Sequence, residues 1–240
     1  MTADSGQADG YVQVIPANEY RRERWRNQLG WTREIARGQL ADDGFHIDAG
    51  EAIGAWDWRL SIAEIERDAA FSSFPGIDRE LVLLSGHGVR LRFDDGEVRE
   101  LHPPHERLRF AGERALTGEL LDGPTHDFNL MWRRDRFDAA LWHRPLVGPM
   151  LFFAEPGVTW VVHVMSGRAV FKDQLLRDAA VVIGDEREEA FVEAFADDLG
   201  EADDGGERRA QFVADGGDEL ALHPVQPLAL GDVAHDVDKA

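Results

Sequence analysis

Short apolar segments with a period-two pattern, separated by Gly, Pro and Asp clusters, constrain this chain more than any other feature. The clearest is Trp56-Asp57-Trp58-Arg59-Leu60-Ser61-Ile62. On an extended backbone Trp56, Trp58, Leu60 and Ile62 share one face, and Asp57, Arg59, Ser61 and Ala63 share the other. Similar segments are read as strands at Val12–Ile15, Thr32–Arg37, Glu80–Ser85, Val89–Phe93, Leu108–Phe110, Thr117–Leu121, Phe128–Arg133, Met150–Ala154 and Thr159–Met165. Phe93-Asp94-Asp95-Gly96 and Ser85-Gly86-His87-Gly88 carry hairpin signals. Ala17–Arg22 allows one short helical turn. Many short strands at close spacing predict an all-β sandwich or barrel.

The pattern changes at Glu186–Gly200. Phe191, Phe195 and Leu199 fall four apart with Val192 beside them and acids elsewhere, which predicts an amphipathic helix. Glu201–Glu207 reads as an acidic loop, and Gln211–Val213 and Leu220–Leu230 return to apolar sequence. These features suggest a helical, acidic insertion over about residues 172–209, with a plain C-terminal extension as the alternative.

Composition narrows the function. Hydrophobic residues make up 43% of the 240 residues and charged residues 30%, a globular balance. The absence of cysteine excludes disulfides, thiolate metal sites and a thiol nucleophile. The net charge is −20, of which −12 lies in Glu186–Ala240. Such a surface repels nucleic-acid phosphates and anionic membranes. It still permits a small anion where arginines line one pocket. Residues 1–10 read as a flexible terminus without a secretory pattern, and no apolar run reaches membrane-spanning length. The expectation is a soluble, cytoplasmic protein.

Several segments are candidates for chemistry. Trp25-Arg26-Asn27-Gln28-Leu29-Gly30-Trp31-Thr32-Arg33-Glu34 reads either as a loop and strand walling a pocket or as a salt bridge with packing tryptophans. Alternation puts Thr32 and Glu34 on one face and Arg33 and Ile35 on the other. Arg59 offers a planar fork of donors suited to a carboxylate, or pairs with Asp57 or Glu64 on a solvated face. Phe71-Ser72-Ser73-Phe74-Pro75-Gly76-Ile77-Asp78-Arg79 reads as a structural corner and covering loop. In Gly123–Arg134, Asp127, Asn129 and Met131 share a face; the two polar groups either line a cavity or join two barrels. No His-x-His pair occurs among the nine histidines, and His102-Pro103-Pro104-His105 has the wrong spacing for a chelate on a strand. His163, alone on an apolar strand, reads as a satisfied core histidine. No metal and no cofactor are expected. There is no phosphate-cradling loop, nucleophile elbow or dinucleotide fingerprint.

Four stretches taken in order resemble the HutD/Ves family. They are Trp25-x-Asn27-x-x-Gly30-x-Thr32-Arg33-Glu34-Ile35, Trp58-Arg59-Leu60-Ser61-Ile62-Ala63, Phe71 to Arg79 as quoted above, and Asp127-Phe128-Asn129-Leu130-Met131-x-Arg133-Arg134. The resemblance spans roughly Val14 to Val170. It implies a bicupin, two double-stranded β-helix (cupin, jelly-roll) barrels packed together, here divided as 11–135 and 136–240. It also implies a non-catalytic protein that tunes bacterial histidine utilisation by binding an intermediate such as urocanate or N-formylglutamate. The ligand would fall on Thr32, Arg33 and Arg59, with Asn27 and Ser61 beside them and Trp25, Glu34 and Asn129 in the wall. A homodimer rests on the resemblance alone. One departure is that family glycines are replaced by Gln28 and Leu29, which predicts a narrower pocket or a different ligand. The alternative functions are a cupin-type enzyme, isomerase or dioxygenase, and an interaction module docking through the acidic stretch.

Overall fold

The structure, a computed structural model, describes residues 11–41, 44–48, 56–145, 149–153, 159–166, 168–171, 174–176, 179–184, 189–195, 211–212 and 221–224. Expectations for residues 1–10 and for the acidic loop 201–207 lie outside them. The first half holds β1 (Tyr11–Pro16), a 3-10 turn (Ala17–Glu19), β2 (Arg21–Arg24), β3 (Gly30–Ala41), β4 (Gly44–Asp48), β5 (Trp58–Ile65) and β6 (Ala69–Ala70). It continues with β7 (Ile77–Ser85), β8 (Val89–Phe93), β9 (Val98–Leu101), β10 (Arg107–Ala111), β11 (Leu116–Leu120) and β12 (Thr125–Arg133). The second half holds β13 (Phe137–Ala139), β14 (Arg144–Pro145), β15 (Pro149–Phe153), β16 (Thr159–Ser166) and β17 (Arg168–Phe171). It ends with β18 (Gln174–Leu176), β19 (Ala179–Gly184), β20 (Glu189–Phe195), β21 (Gln211–Phe212) and β22 (Ala221–Pro224).

The chain is nearly all β, as the alternation predicts. One sheet runs β10-β7-β12-β5-β3-β2, with β4 on β3, and a second runs β6-β11-β8-β9. These two face each other across a core of Leu81, Leu83, Val89, Leu91, Phe93, Leu101, Phe110 and Leu116. A third sheet runs β1-β19-β16-β21-β14, with β22 joining β16 and β13; a fourth runs β15-β20-β17-β18. Strand β1 pairs along its length with β19, so the first described strand lies in the sheets of the second half.

A larger core explains why β7 is apolar on both sides over Leu81–Leu84. Trp58, Leu60, Ile62, Val82, Phe128, Leu130 and Trp132 leave the outer face of the first sheet. They pack with Ile15, Phe137, Ala139, Leu141 and Val161. Each fully buried large side chain contributes roughly 1.5–3 kcal/mol. Leu81-Val82-Leu83-Leu84 therefore reads as a continuous apolar run, because each face meets a different core. Gly38 sits opposite Trp58 in the β3–β5 register, and a Cβ there would fall within the indole ring's contact distance. His163 is buried in this region, its Nδ1 3.2 Å from the Tyr20 hydroxyl and its ring stacked on Phe128.

Two expectations are corrected. The segment predicted as an amphipathic helix, Glu186–Gly200, contains strand β20, which pairs with β15 and β17. Phe191 and Phe195 are four apart, and four is also a multiple of the strand period, so pairing with two neighbours decides between the readings. Within the span read as an insertion over 172–209, the described residues form strands β18, β19 and β20, which pair in the sheets, and the others lie outside the described residues. Ser85-Gly86-His87-Gly88 does not close a hairpin. It carries the chain from β7 in one sheet to β8 in the other, with Gly86 at φ 104° and Gly88 at φ 126°. Phe93–Gly96 does turn between paired strands β8 and β9. Among the described residues no helix is long and apolar enough to cross a membrane.

Candidate functional site

The inner faces of four adjacent strands, β3, β5, β12 and β7, line up in rows. Register places Arg37 opposite Arg59, Arg59 opposite Met131, and Met131 opposite Arg79. The next row is Glu34, Ser61, Asn129 and Leu81, and the one after it Thr32, Ala63, Asp127 and Leu83. A bulge between Glu34 and Ala36 keeps Glu34 and Arg37 on the same side although they are three residues apart.

A cavity of about 480 Å3 opens over these rows. Thr32, Arg59, Ser61, Ala63, Asn129, Met131, Arg79 and Leu81 form its floor. The loop between β2 and β3, with Trp25 and Asn27, forms one wall, and Phe71, Ser72 and Phe74 form the other. Trp25 is fixed by its indole N–H donating to Thr32 Oγ1 at 2.9 Å. Asn27 Oδ1 accepts from the Leu29 amide at 3.0 Å and so holds the loop turn. Gln28, where the family resemblance expects glycine, adopts the left-handed φ of 60°.

The electrostatics favour an anion. Glu34 is buried and takes hydrogen bonds from two guanidiniums, Arg37 Nη2 at 2.5 Å on Oε1 and Arg59 Nε at 2.5 Å on Oε2, with Arg21 Nη2 3.7 Å from Oε1 as a third cation. Arg79 is also buried, and among the described residues no carboxylate lies within ion-pair distance of it. It is surrounded by the rings of Phe71, Phe74 and Phe110, with centroids 5.3, 5.7 and 5.1 Å from its guanidinium carbon. Burial, and then repulsion from Arg59, pull its pKa down to about 10, while Asp127 opposes the drop. Arg37, Arg59 and Arg79 thus share the inner face, Arg37 and Arg79 buried and Arg59 half-buried, with two carboxylates, the paired Glu34 and Asp127. Asp127 is fully buried, and burial pushes its carboxyl up to about 7 against the pull of Arg79.

Of the residues singled out in the sequence, Asn27, Thr32, Arg59 and Ser61 meet at the cavity, with Trp25 and Asn129 in its wall. Glu34 stands behind Arg59 and does not line the space. Arg33 leaves the opposite face of β3, where its Nε lies 2.8 Å from Glu64 Oε1. Arg79, Phe71 and Phe74 escaped the sequence reading, which treated Phe71–Arg79 as a structural corner. The available signal was an arginine in phase with Leu81 and Leu83 on the apolar face of a strand. Among the described residues no histidine lines the cavity, and no three His, Asp or Glu side chains form a metal-binding group.

Fold and cavity together define a nearly all-β, cupin-like protein with a polar pocket enclosed by one pair of sheets. The HutD family profile matches residues 17–195, and the chain belongs to that family. It is 35% identical over 166 residues to protein Ves of Cronobacter sakazakii, covering 69% of this chain and 80% of that one. It is 38% identical over 130 residues to a 21.2 kDa Pseudomonas putida protein from the hutC 3′ region. That match spans 54% of this chain and 63% of the Pseudomonas putida protein. The solved structure of HutD from Pseudomonas fluorescens SBW25, in a formate condition, superposes with a TM-score of 0.65 at 26% identity. It covers 90% of this chain and all of that one.

Proposed function

We propose that the cavity binds a small carboxylate and that the protein is a non-catalytic binder which tunes bacterial histidine utilisation. One observation carries the reading: the buried Arg79 and the half-buried Arg59 both line the cavity, and the carboxylate beside Arg59, Glu34, is already engaged by Arg37 and Arg59 from behind. A carboxylate entering beside Arg59 and Arg79 would gain charge-assisted hydrogen bonds in a low-dielectric site. Ser61 and Asn129 supply further polar groups, and Trp25, Phe71 and Phe74 supply flat apolar walls. The family link to the hut locus points to an intermediate of histidine breakdown, urocanate or N-formylglutamate, met in the cytoplasm. The formate condition of the Pseudomonas fluorescens HutD structure is in keeping with a carboxylate. We read the two pairs of sheets as two cupin barrels in one chain.

The test is calorimetric titration of the protein with urocanate and with N-formylglutamate. Saturable binding that weakens at least about tenfold, ~1.4 kcal/mol, in Arg59→Ala and in Arg79→Ala supports the reading. Unchanged affinity in both variants removes the pocket assignment.

A further inference from the structure

The inner face of β12 carries buried polar atoms without partners among the described residues. Both carboxylate oxygens of Asp127, Oδ1 of Asn129 and Oγ1 of Thr125 are buried and have no hydrogen-bond partner among the described residues. These three residues lie two apart on one strand face, so their side chains emerge together inside the first pair of sheets. A buried acceptor without a donor costs about 1–3 kcal/mol, and more when it is charged. The groups around Asp127 are identifiable from the elements packed against it. β5 brings Ala63 opposite it, with Arg59 farther along; β7 brings Leu83, with Arg79 farther along. β3 brings Thr32, with Glu34 and Arg37 beyond. The facing sheet brings Val89, Leu91 and Leu116, all apolar. The charge felt most strongly by Asp127 is therefore Arg79, which also lines the cavity.

Resting on the carboxylate reading above, we propose that the cavity binds its anion together with a proton, which Asp127 takes up as the ligand engages Arg79. Without ligand, Arg79 partly compensates an ionised Asp127. A bound carboxylate takes over that compensation and adds a second negative charge in the cavity lined by Asp127's register neighbours Thr32 and Ala63 and by Arg79, which favours the neutral acid. The balance is simple: one anionic ligand and one proton enter, and the Asp127 carboxylate becomes a carboxylic acid. The free carboxyl already titrates at about 7, so the coupling operates near neutral pH. Affinity is highest below that value, and it falls as pH rises because binding then has to draw a proton from solution. The site would hold its ligand more tightly as its surroundings acidify.

N-formylglutamate is the probe, because carboxylates with pKa values of roughly 3.5–4.5 stay ionised from pH 6 to 9. Titration calorimetry of the full chain should show affinity falling at least about tenfold over that range, which is ~1.4 kcal/mol. At pH 7.5 the observed heat should differ between phosphate and Tris in the direction of proton uptake, a measurement needing no variant. Asp127→Asn, permanently neutral, should bind with an affinity that is flat in pH and within a few-fold of the wild-type value at pH 6. Binding with a pH-independent affinity and equal heats in both buffers would overturn the proposal while leaving the carboxylate site standing. So would an Asp127→Asn protein that keeps the wild-type slope. Absence of binding by both N-formylglutamate and urocanate at every pH would overturn the carboxylate reading and this proposal with it.

Discussion

Arg59 Nε lies 2.5 Å from Glu34 Oε2, with Glu34 buried and Arg59 on the cavity wall. This contact fixes the guanidinium from behind, so a ligand must be met by its terminal nitrogens. Glu34 also holds Arg37, and it is thus the anion that keeps two neighbouring arginines compatible inside the protein.

Glu34→Gln removes that anion and leaves Arg37 and Arg59 facing each other. Breaking a buried ion pair from one side costs about 3–5 kcal/mol. Denaturant unfolding should show a loss of this order, and added N-formylglutamate should restore more stability to the variant than to the wild type.

Gly38→Ala forces a methyl against the Trp58 indole, which is fully buried and closes the larger core. Overpacking of this kind costs about 1–3 kcal/mol. The urea midpoint should fall with the slope unchanged.

Asp127→Asn should stabilise the unliganded protein at alkaline pH. The folded carboxyl is raised to about 7, above an unfolded value of roughly 3.9. Its contribution is therefore complete below the unfolded value and is lost as pH rises to about 7, an amount of roughly 4 kcal/mol. The variant should match the wild type near pH 4 and exceed it at pH 8. Equal stabilities at pH 8 would show that Asp127 ionises there without penalty.

His163 acts in the opposite sense. Burial, with Arg33 contributing, depresses its pKa from 6.5 to about 4. The neutral imidazole stabilises the fold fully above the unfolded value, and this is lost as pH falls from about 6.5 to about 4, by roughly 3 kcal/mol. His163→Phe should flatten that acid limb in thermal unfolding at a series of pH values, at the cost of the Tyr20 contact. Between pH 4 and 6.5 the wild-type curve should be shallow, because the Asp127 and His163 slopes oppose each other there.

Local periodicity determined a good deal by itself. Alternation at Trp58–Ile62 and Asp127–Trp132 sorted the inward polar residues Arg59, Ser61 and Asn129 from the outward Trp58, Leu60, Phe128 and Leu130, and the structure keeps that division. It also put Thr32 and Arg33 on opposite faces, because a strand's side chains can do nothing else. The four ordered motifs identified the family. What periodicity cannot supply is register. That Arg37, Arg59, Met131 and Arg79 form one row depends on how four strands slide against one another, and long-range packing of Trp58 and Trp132 decides this. The same limit hid Arg79, whose role emerges only when Phe71, Phe74 and Phe110 from separate elements gather around it. It also misassigned Glu189–Phe195, where a spacing of four suits helix and strand alike and the hydrogen bonds of β15 and β17 settle the matter. Side-chain pattern is a property of the chain and can be read along it. The meeting of charges in a cavity is a property of pairing between distant segments, and only the folded structure has it.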